Sequence, residues 1–198
     1  MIRVFLAVEL PSDIREKLFS LQQQLKKALP SMNWVRPESI HLTLKFLGYV
    51  EPSRISQIVS ALEPIGKKQN GFSMDVQGLG VFPQVKHPRI LWIGVTGKTQ
   101  ALQELVLEIE AALEPLGFPA EEKSYHAHLT LARIKRENAM VGSALLESGV
   151  LGSDQQLGTL PIDRFVLFQS DLDASGATYT SLGTVRLSGN TLELKGEG

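Results

Sequence analysis

Two of the four histidines in this chain open the same tetrapeptide, His-Leu-Thr-Leu, at His41–Leu44 and at His128–Leu131. With ordinary residue frequencies, a given histidine is followed by Leu-Thr-Leu on the order of once in a thousand or more. Both copies alternate in character and favour extended backbone. In a strand, residues i and i+2 share a face, roughly 6–7 Å apart. Each copy therefore pairs an imidazole with a hydroxyl on one face and sets two leucines on the other. A neutral imidazole takes a proton and an imidazolium gives one near neutral pH. Two such strands around one cleft supply a base, an acid and two hydroxyls. That set suits displacement at a phosphodiester, where the attacking oxygen loses a proton and the departing oxygen gains one. Thr43 and Thr130 would hold the phosphate oxygens. A pair of ordinary sheet histidines is the plainer explanation, but it does not account for the repeated one-residue gap between His and Thr.

The elements that carry these strands follow from periodicity. A first strand is expected over about Ile2–Leu10. A helix follows Pro11, with Asp13 and Glu16 at capping-box spacing and Ile14, Leu18, Leu21, Leu25 and Leu29 as its apolar stripe. Ile40–Leu47 is the first motif strand, and Pro52–Ile65 reads as a second helix. Strands over Phe72–Val76 and Arg89–Thr96 precede a third helix, about Thr99–Leu116, that Gly117 and Pro119 terminate. The second motif strand is expected over Ser124–Ile134, then a short helix near Glu137–Glu147 and strands near Arg164–Gln169 and Thr178–Leu187. Short connections between strands favour antiparallel pairing. The expected fold is α+β with two mainly antiparallel sheets and helices packed outside. The motifs lie 87 residues apart with no low-complexity linker between them, which suggests two related lobes in one domain spanning residues 1–198.

Composition narrows the partners. The chain has 198 residues, 43% hydrophobic and 21% charged, as in ordinary globular proteins. A net charge of -1 provides no global field for nucleic acid, so contact with an RNA must be local. The absence of cysteine removes disulfides, thiolate metal sites and cysteine nucleophiles. No apolar run approaches the roughly 20 residues that span a bilayer. A cytoplasmic protein with no membrane partner is expected, and nothing requires more than a monomer.

Other residues have weaker claims. Lys45 shares the face of His41 and Thr43 by parity. Arg133, five residues after His128, falls on the opposite face of a regular strand, and a bend would bring its guanidinium to phosphate. Arg36 and Arg89 are further candidates for phosphate contact. Phe46 and Tyr125 could stack a base, with core packing the competing role for Phe46. His126 and His128 form a His-x-His pair that would bind zinc if His41 or His87 joined them.

The motifs resemble those of the two-histidine (2H) phosphoesterase superfamily, defined by paired H-x-[T/S]-x sequences. Within it, the chain is similar to the RNA 2',3'-cyclic phosphodiesterase group, also called 2'-5' RNA ligases. The likeness rests on Arg3–Val8, Trp34-Val35, Ser39–Gly48, Tyr125–Arg133, Leu167–Ser170 and Gly176–Thr180, and so extends over nearly the whole chain. It implies a bilobal fold with pseudo-twofold symmetry, an active cleft between the motif strands, and no metal or nucleotide cofactor. It also implies opening of a 2',3'-cyclic phosphate to a 2'-phosphate, with His41 as proton donor and His128 as acceptor. Thr43 and Thr130 would bind substrate, joined by Arg133, Tyr125 and Phe46. RNA ends are the implied partners, with tRNA fragments one source, and the reverse reaction would join ends through a 2'-5' linkage. Three alternatives stand beside this reading: a phosphodiesterase for a small cyclic nucleotide such as ADP-ribose 1'',2''-cyclic phosphate, an RNA-end binding module without turnover, and a zinc hydrolase.

Overall fold

The computed structural model describes residues 1–30, 32–135, 140–151, 155–173 and 176–188. Strand β1 (Ile2–Glu9) leads into helix α1 (Ser12–Ala28). A two-residue strand β2 (Asn33–Trp34) and a short 3-10 turn precede β3 (His41–Val50), which carries the first motif. Helix α2 (Ile55–Lys68), β4 (Phe72–Phe82), β5 (Ile90–Gly97) and α3 (Thr99–Leu113) come next. Strand β6 (His128–Arg133) carries the second motif, and then come α4 (Met140–Glu147), β7 (Gln156–Ile162), β8 (Arg164–Asp173) and β9 (Gly176–Arg186).

The strands form two antiparallel sheets. One has the order β3-β1-β8-β9 and the other β2-β6-β5-β4-β7. The fold is α+β, as expected. The first sheet takes strands from both ends of the chain, so the two lobes interleave rather than succeed one another. One hydrophobic cluster joins them, from Leu6 and Val8 through Ile58 and Leu105 to Leu129 and Phe165. Burying each such side chain stabilises the fold by about 1.5–3 kcal/mol.

The helices lie along the predicted stripes: Ile14, Leu18, Leu21 and Leu25 in α1, and Leu102, Leu105, Val106, Ile109 and Leu113 in α3 are buried. The capping box is not formed. Helix α1 starts at Ser12 behind Pro11, without a side-chain cap, and Asp13 sits inside the first turn. Its carboxylate meets the positive end of the helix dipole there and lies 3.7 Å from Lys17. Helix α2 starts later than expected, because Pro52–Arg54 form a 3-10 turn. The second motif strand is shorter than expected and starts at His128 itself. Residues 137–139, the start of the expected fourth helix, lie outside the described residues. Strand β7 was not expected, since Gly158 and Pro161 break its pattern. Among the described residues it pairs with β4 alone, at a sheet edge where a proline without an N–H is tolerated. Among the described residues, no helix is long and apolar enough to cross a membrane.

Candidate active site

The two motif strands share one irregularity. In β3, Ala7 faces Thr43 but Leu6 faces Lys45, so Leu44 is an extra, bulged residue. In β6, Trp92 faces Thr130 but Leu91 faces Ala132, so Leu131 is bulged. A bulge shifts parity by one, and every later side chain changes face. The burial patterns record the shift: His and Thr half-buried, both leucines and the next residue buried, then an exposed one. Lys45 therefore leaves the face of His41, contrary to the parity expectation, and is buried. Phe46 turns onto that face and is 55% exposed, which corrects the core-packing role. Arg133 turns onto the face of His128 and Thr130 by the same device.

Each bulge is held from behind by a buried polar side chain. The Gln22 amide donates to the carbonyls of Val35 (2.8 Å) and of the bulged Leu131 (3.0 Å). The Lys45 ammonium donates to the Pro119 carbonyl at 2.7 Å and lies 3.4 Å from the Glu110 carboxylate. That carboxylate also accepts from the Glu121 backbone N–H at 2.9 Å. These ties run to α1 in one case and to α3 and its following loop in the other.

The cleft joins the two strands. Strand β3 packs against β6. The Tyr125 hydroxyl, just before β6, donates to the Thr43 carbonyl at 2.8 Å, and burial pushes its ionisation well above the usual range. Arg133, from the second lobe, is close enough to disfavour a charge on His41, in the first. Tyr179 stands edge-on to His41 at 5.1 Å, and the charges of Arg133, Arg3 and Arg36 all reach it. The Arg36 guanidinium itself donates to the Ala177 carbonyl at 2.7 Å, which ties the β8–β9 hairpin to the loop before β3. Arg89 lies between β4 and β5, with its backbone bonded to Phe82 and Ile134. His87 is in the turn before it, as expected of a loop residue.

The histidines are oriented alike. His41 Nδ1 lies 3.0 Å from the Ser39 carbonyl and His128 Nδ1 lies 2.7 Å from the His126 carbonyl. A carbonyl can only accept, so Nδ1 carries the proton in both rings. Nε2 is left to take and give the exchangeable one. Burial lowers the pKa of His41 to about 4, partly offset by the Ser39 bond and reinforced by Arg133. Burial lowers that of His128 as well, partly offset by the bond to the His126 carbonyl. Burial thus favours the neutral form of both rings in the free protein. A bound phosphate monoanion would reverse this for one of them, since an adjacent negative charge favours imidazolium.

Aromatic side chains missed by the sequence reading complete the walls. Phe5 packs on His41 (4.7 Å) and Phe168 (5.5 Å). Phe82 stands edge-on to His126 (5.1 Å) and His128 (5.0 Å), and Trp92 lies 5.1 Å from Phe82. The signal for Phe5 was present. Strand β1 is apolar on both faces, Val4, Leu6 and Val8 on one and Phe5 and Ala7 on the other, so two layers must cover it. His126 lines a cavity beside the cleft. Among the described residues, no group of three His, Cys, Asp or Glu side chains is close enough to hold a metal ion, so the proposed set of His41, His126 and His128 does not assemble.

The same family model matches the chain twice, over residues 8–92 and 93–179, once for each motif; it describes a LigT-like phosphoesterase. The chain belongs to this family. A relative from Archaeoglobus fulgidus, an RNA 2',3'-cyclic phosphodiesterase, is 32% identical over 91% of this chain and 97% of its own. A relative of the same name from Aquifex aeolicus is 32% identical over 79% of this chain and 82% of its own. A crystal structure from Thermus thermophilus superposes with a TM-score of 0.79, at 25% identity, covering 96% of this chain and all of that one. The E. coli LigT complex with 3'-AMP has the same fold, with a TM-score of 0.75 at 23% identity over 94% of this chain and 98% of that one.

Proposed function

We propose that the chain hydrolyses RNA 2',3'-cyclic phosphate ends to 2'-phosphates by acid–base catalysis between His41 and His128. The observation that carries this reading is the twinned, bulged His-x-Thr strand, which presents two like-oriented imidazoles and Arg133 to one cleft. Family membership and the relatives' activity support it.

In this scheme Thr43, Thr130 and Arg133 hold the non-bridging oxygens. His128 Nε2 takes a proton from water as the water oxygen attacks phosphorus. The bond to O3' breaks opposite, and imidazolium His41 gives its proton to that oxygen. The products are a 2'-phosphate monoester and a free 3'-hydroxyl, and solvent restores the two proton states. The lowered proton affinity of the half-buried His41 suits the donor role. Once protonated by the substrate's charge, a ring whose charged form is disfavoured releases its proton readily. Phe46 offers its exposed face to the RNA chain leading to the cyclic end. With a 5'-hydroxyl in place of water, the same displacement joins ends through a 2'-5' bond.

The test is hydrolysis of an RNA ending in a 2',3'-cyclic phosphate, in EDTA, with the product isomer scored. A 2'-phosphate is expected at an undiminished rate. A 3'-phosphate would reverse the leaving group, and loss of activity in chelator would remove the metal-independent mechanism.

A further inference from the structure

The two lobes differ in what stands across from the motif. In the first, Ala7 faces Thr43 and Glu9 faces His41. In the second, Trp92 faces Thr130, and Gly94, with no side chain, faces His128. The indole lies flat on the sheet because Gly80 leaves room for it; a Cβ there would come within 2.3 Å of the ring. Its N–H is buried without a partner among the described residues, so Trp92 contributes a ring face rather than a hydrogen bond.

Beside Gly94 opens a cavity of about 480 Å³, lined by Trp92, Tyr125, His126, Gln77, Thr99 and Gln103 among others. No Lys, Arg, Asp or Glu lines it among the described residues. A phosphate subsite would need positive charge; aromatic faces with amides and hydroxyls suit a neutral heterocycle. The Gln77 amide donates to Thr96 Oγ1 at 2.9 Å, which fixes it and leaves its carbonyl oxygen as an acceptor. His126, on the cavity wall, is 6.2 Å from His128, so the cavity begins next to the phosphate chemistry.

We propose that this cavity receives the nucleobase of the nucleotide bearing the cyclic phosphate, stacked on Trp92 and read by Gln77, Thr99 and Gln103. The proposal rests on the phosphodiesterase reading above. Gln77 offers a fixed acceptor, while the Gln103 amide and the Thr99 hydroxyl can turn to donate or accept, so all four bases are accepted with modest preference.

The test compares adenosine 2',3'-cyclic phosphate with the abasic ribose 2',3'-cyclic phosphate. Trp92→Ala should lower kcat/KM for the nucleotide roughly five- to a hundredfold, as for a lost stacking face. Gln103→Ala, on the exposed side of α3, should lower it by a smaller factor. Gln103→Ala should leave the abasic rate within twofold, whereas Trp92→Ala, which also removes the neighbour of Thr130, should lower the nucleotide rate at least fivefold more than the abasic rate. An equal fall on both substrates, or no fall on either, overturns the base site. Binding provides a readout independent of turnover. With Trp34→Phe, Trp92 is the remaining indole. Adenosine 2'-monophosphate should then quench its fluorescence saturably, while ribose 5-phosphate and inorganic phosphate should not. Absent quenching overturns the proposal. Quenching in a protein that turns over neither substrate overturns the phosphodiesterase reading and leaves the base site standing.

Discussion

Strands β3 and β6 begin with the same four residues, bulge at the same leucine and bond the same ring nitrogen to the carbonyl two residues back. They differ in the residues beyond the bulge and in the side chains around them. After the bulge, β3 continues Lys45-Phe46 and β6 continues Ala132-Arg133. One copy thus adds an aromatic face to the cleft and the other a guanidinium. Behind the bulge, one copy is braced by a buried ion pair and the other by a buried amide. Equal sequences do not make equal sites. The bulge converts residues just beyond the repeat into cleft residues, and they break the symmetry that the repeat itself keeps.

The largest effect should come from the pair. His41→Ala and His128→Ala are each expected to lower kcat by about 10²–10⁴ or more. The double variant should lose little beyond either single one, because the two act as a unit. Measured thermal stability should stay near that of the parent. Additive losses would mean that the rings do not share one proton circuit.

The next largest separates the braces. Glu110→Ala leaves the Lys45 ammonium buried without its carboxylate and should cost about 3–5 kcal/mol in denaturant unfolding. Gln22→Ala removes two bonds from the other brace and should cost about 1–3 kcal/mol. The Gln22 variant should also lower kcat by loosening Arg133, and Arg133→Lys combined with Gln22→Ala should then cost less than the sum. A Gln22 variant that is destabilised but has the parental kcat would deny the bulge a role in placing Arg133.

Arg133 and Phe46 occupy equivalent positions and should fail differently. Arg133→Ala should lower kcat, as expected for a charge that acts on phosphate. Phe46→Ala should raise KM for an RNA several-fold and leave a mononucleotide unaffected. Identical steady-state patterns would mean that the bulge brings both to the cleft without distinguishing them.

The smallest effects are in pH. Both histidines titrate below the ordinary 6.5 in the free protein, His41 at about 4. The kcat/KM optimum, which reports the free protein, should therefore lie on the acid side of 6.5. The kcat optimum should lie higher, since bound phosphate favours imidazolium. For stability the sign is fixed by the lowered folded-state value. The contribution is full above 6.5 and is lost as pH falls towards 4. His41→Asn should flatten unfolding stability over that window, measured by denaturant titration at several pH values.

The sequence displayed much of this and hid the rest for physical reasons. The helix stripes and the face shared by His and Thr were legible, because periodicity of 3.6 and 2 governs them locally. The placements of Lys45, Phe46 and Arg133 were not, since one bulged residue reverses parity and Leu-Thr-Leu gives no sign of it. Strand β7 was concealed by Gly158 and Pro161, tolerated at a sheet edge that only the tertiary fold creates. Trp92 was visible as an apolar strand residue. Its position across from Thr130 depends on the β5–β6 register, which is non-local.

The central claim is that identical motifs hold unlike proton roles, His41 donating and His128 accepting. A cyclic-ended substrate with sulfur in place of O3' tests it most directly, because a thiolate departs without a proton. On that substrate His41→Ala should recover most of the parental rate and His128→Ala should not. Recovery by His128→Ala with none by His41→Ala would contradict the assignment.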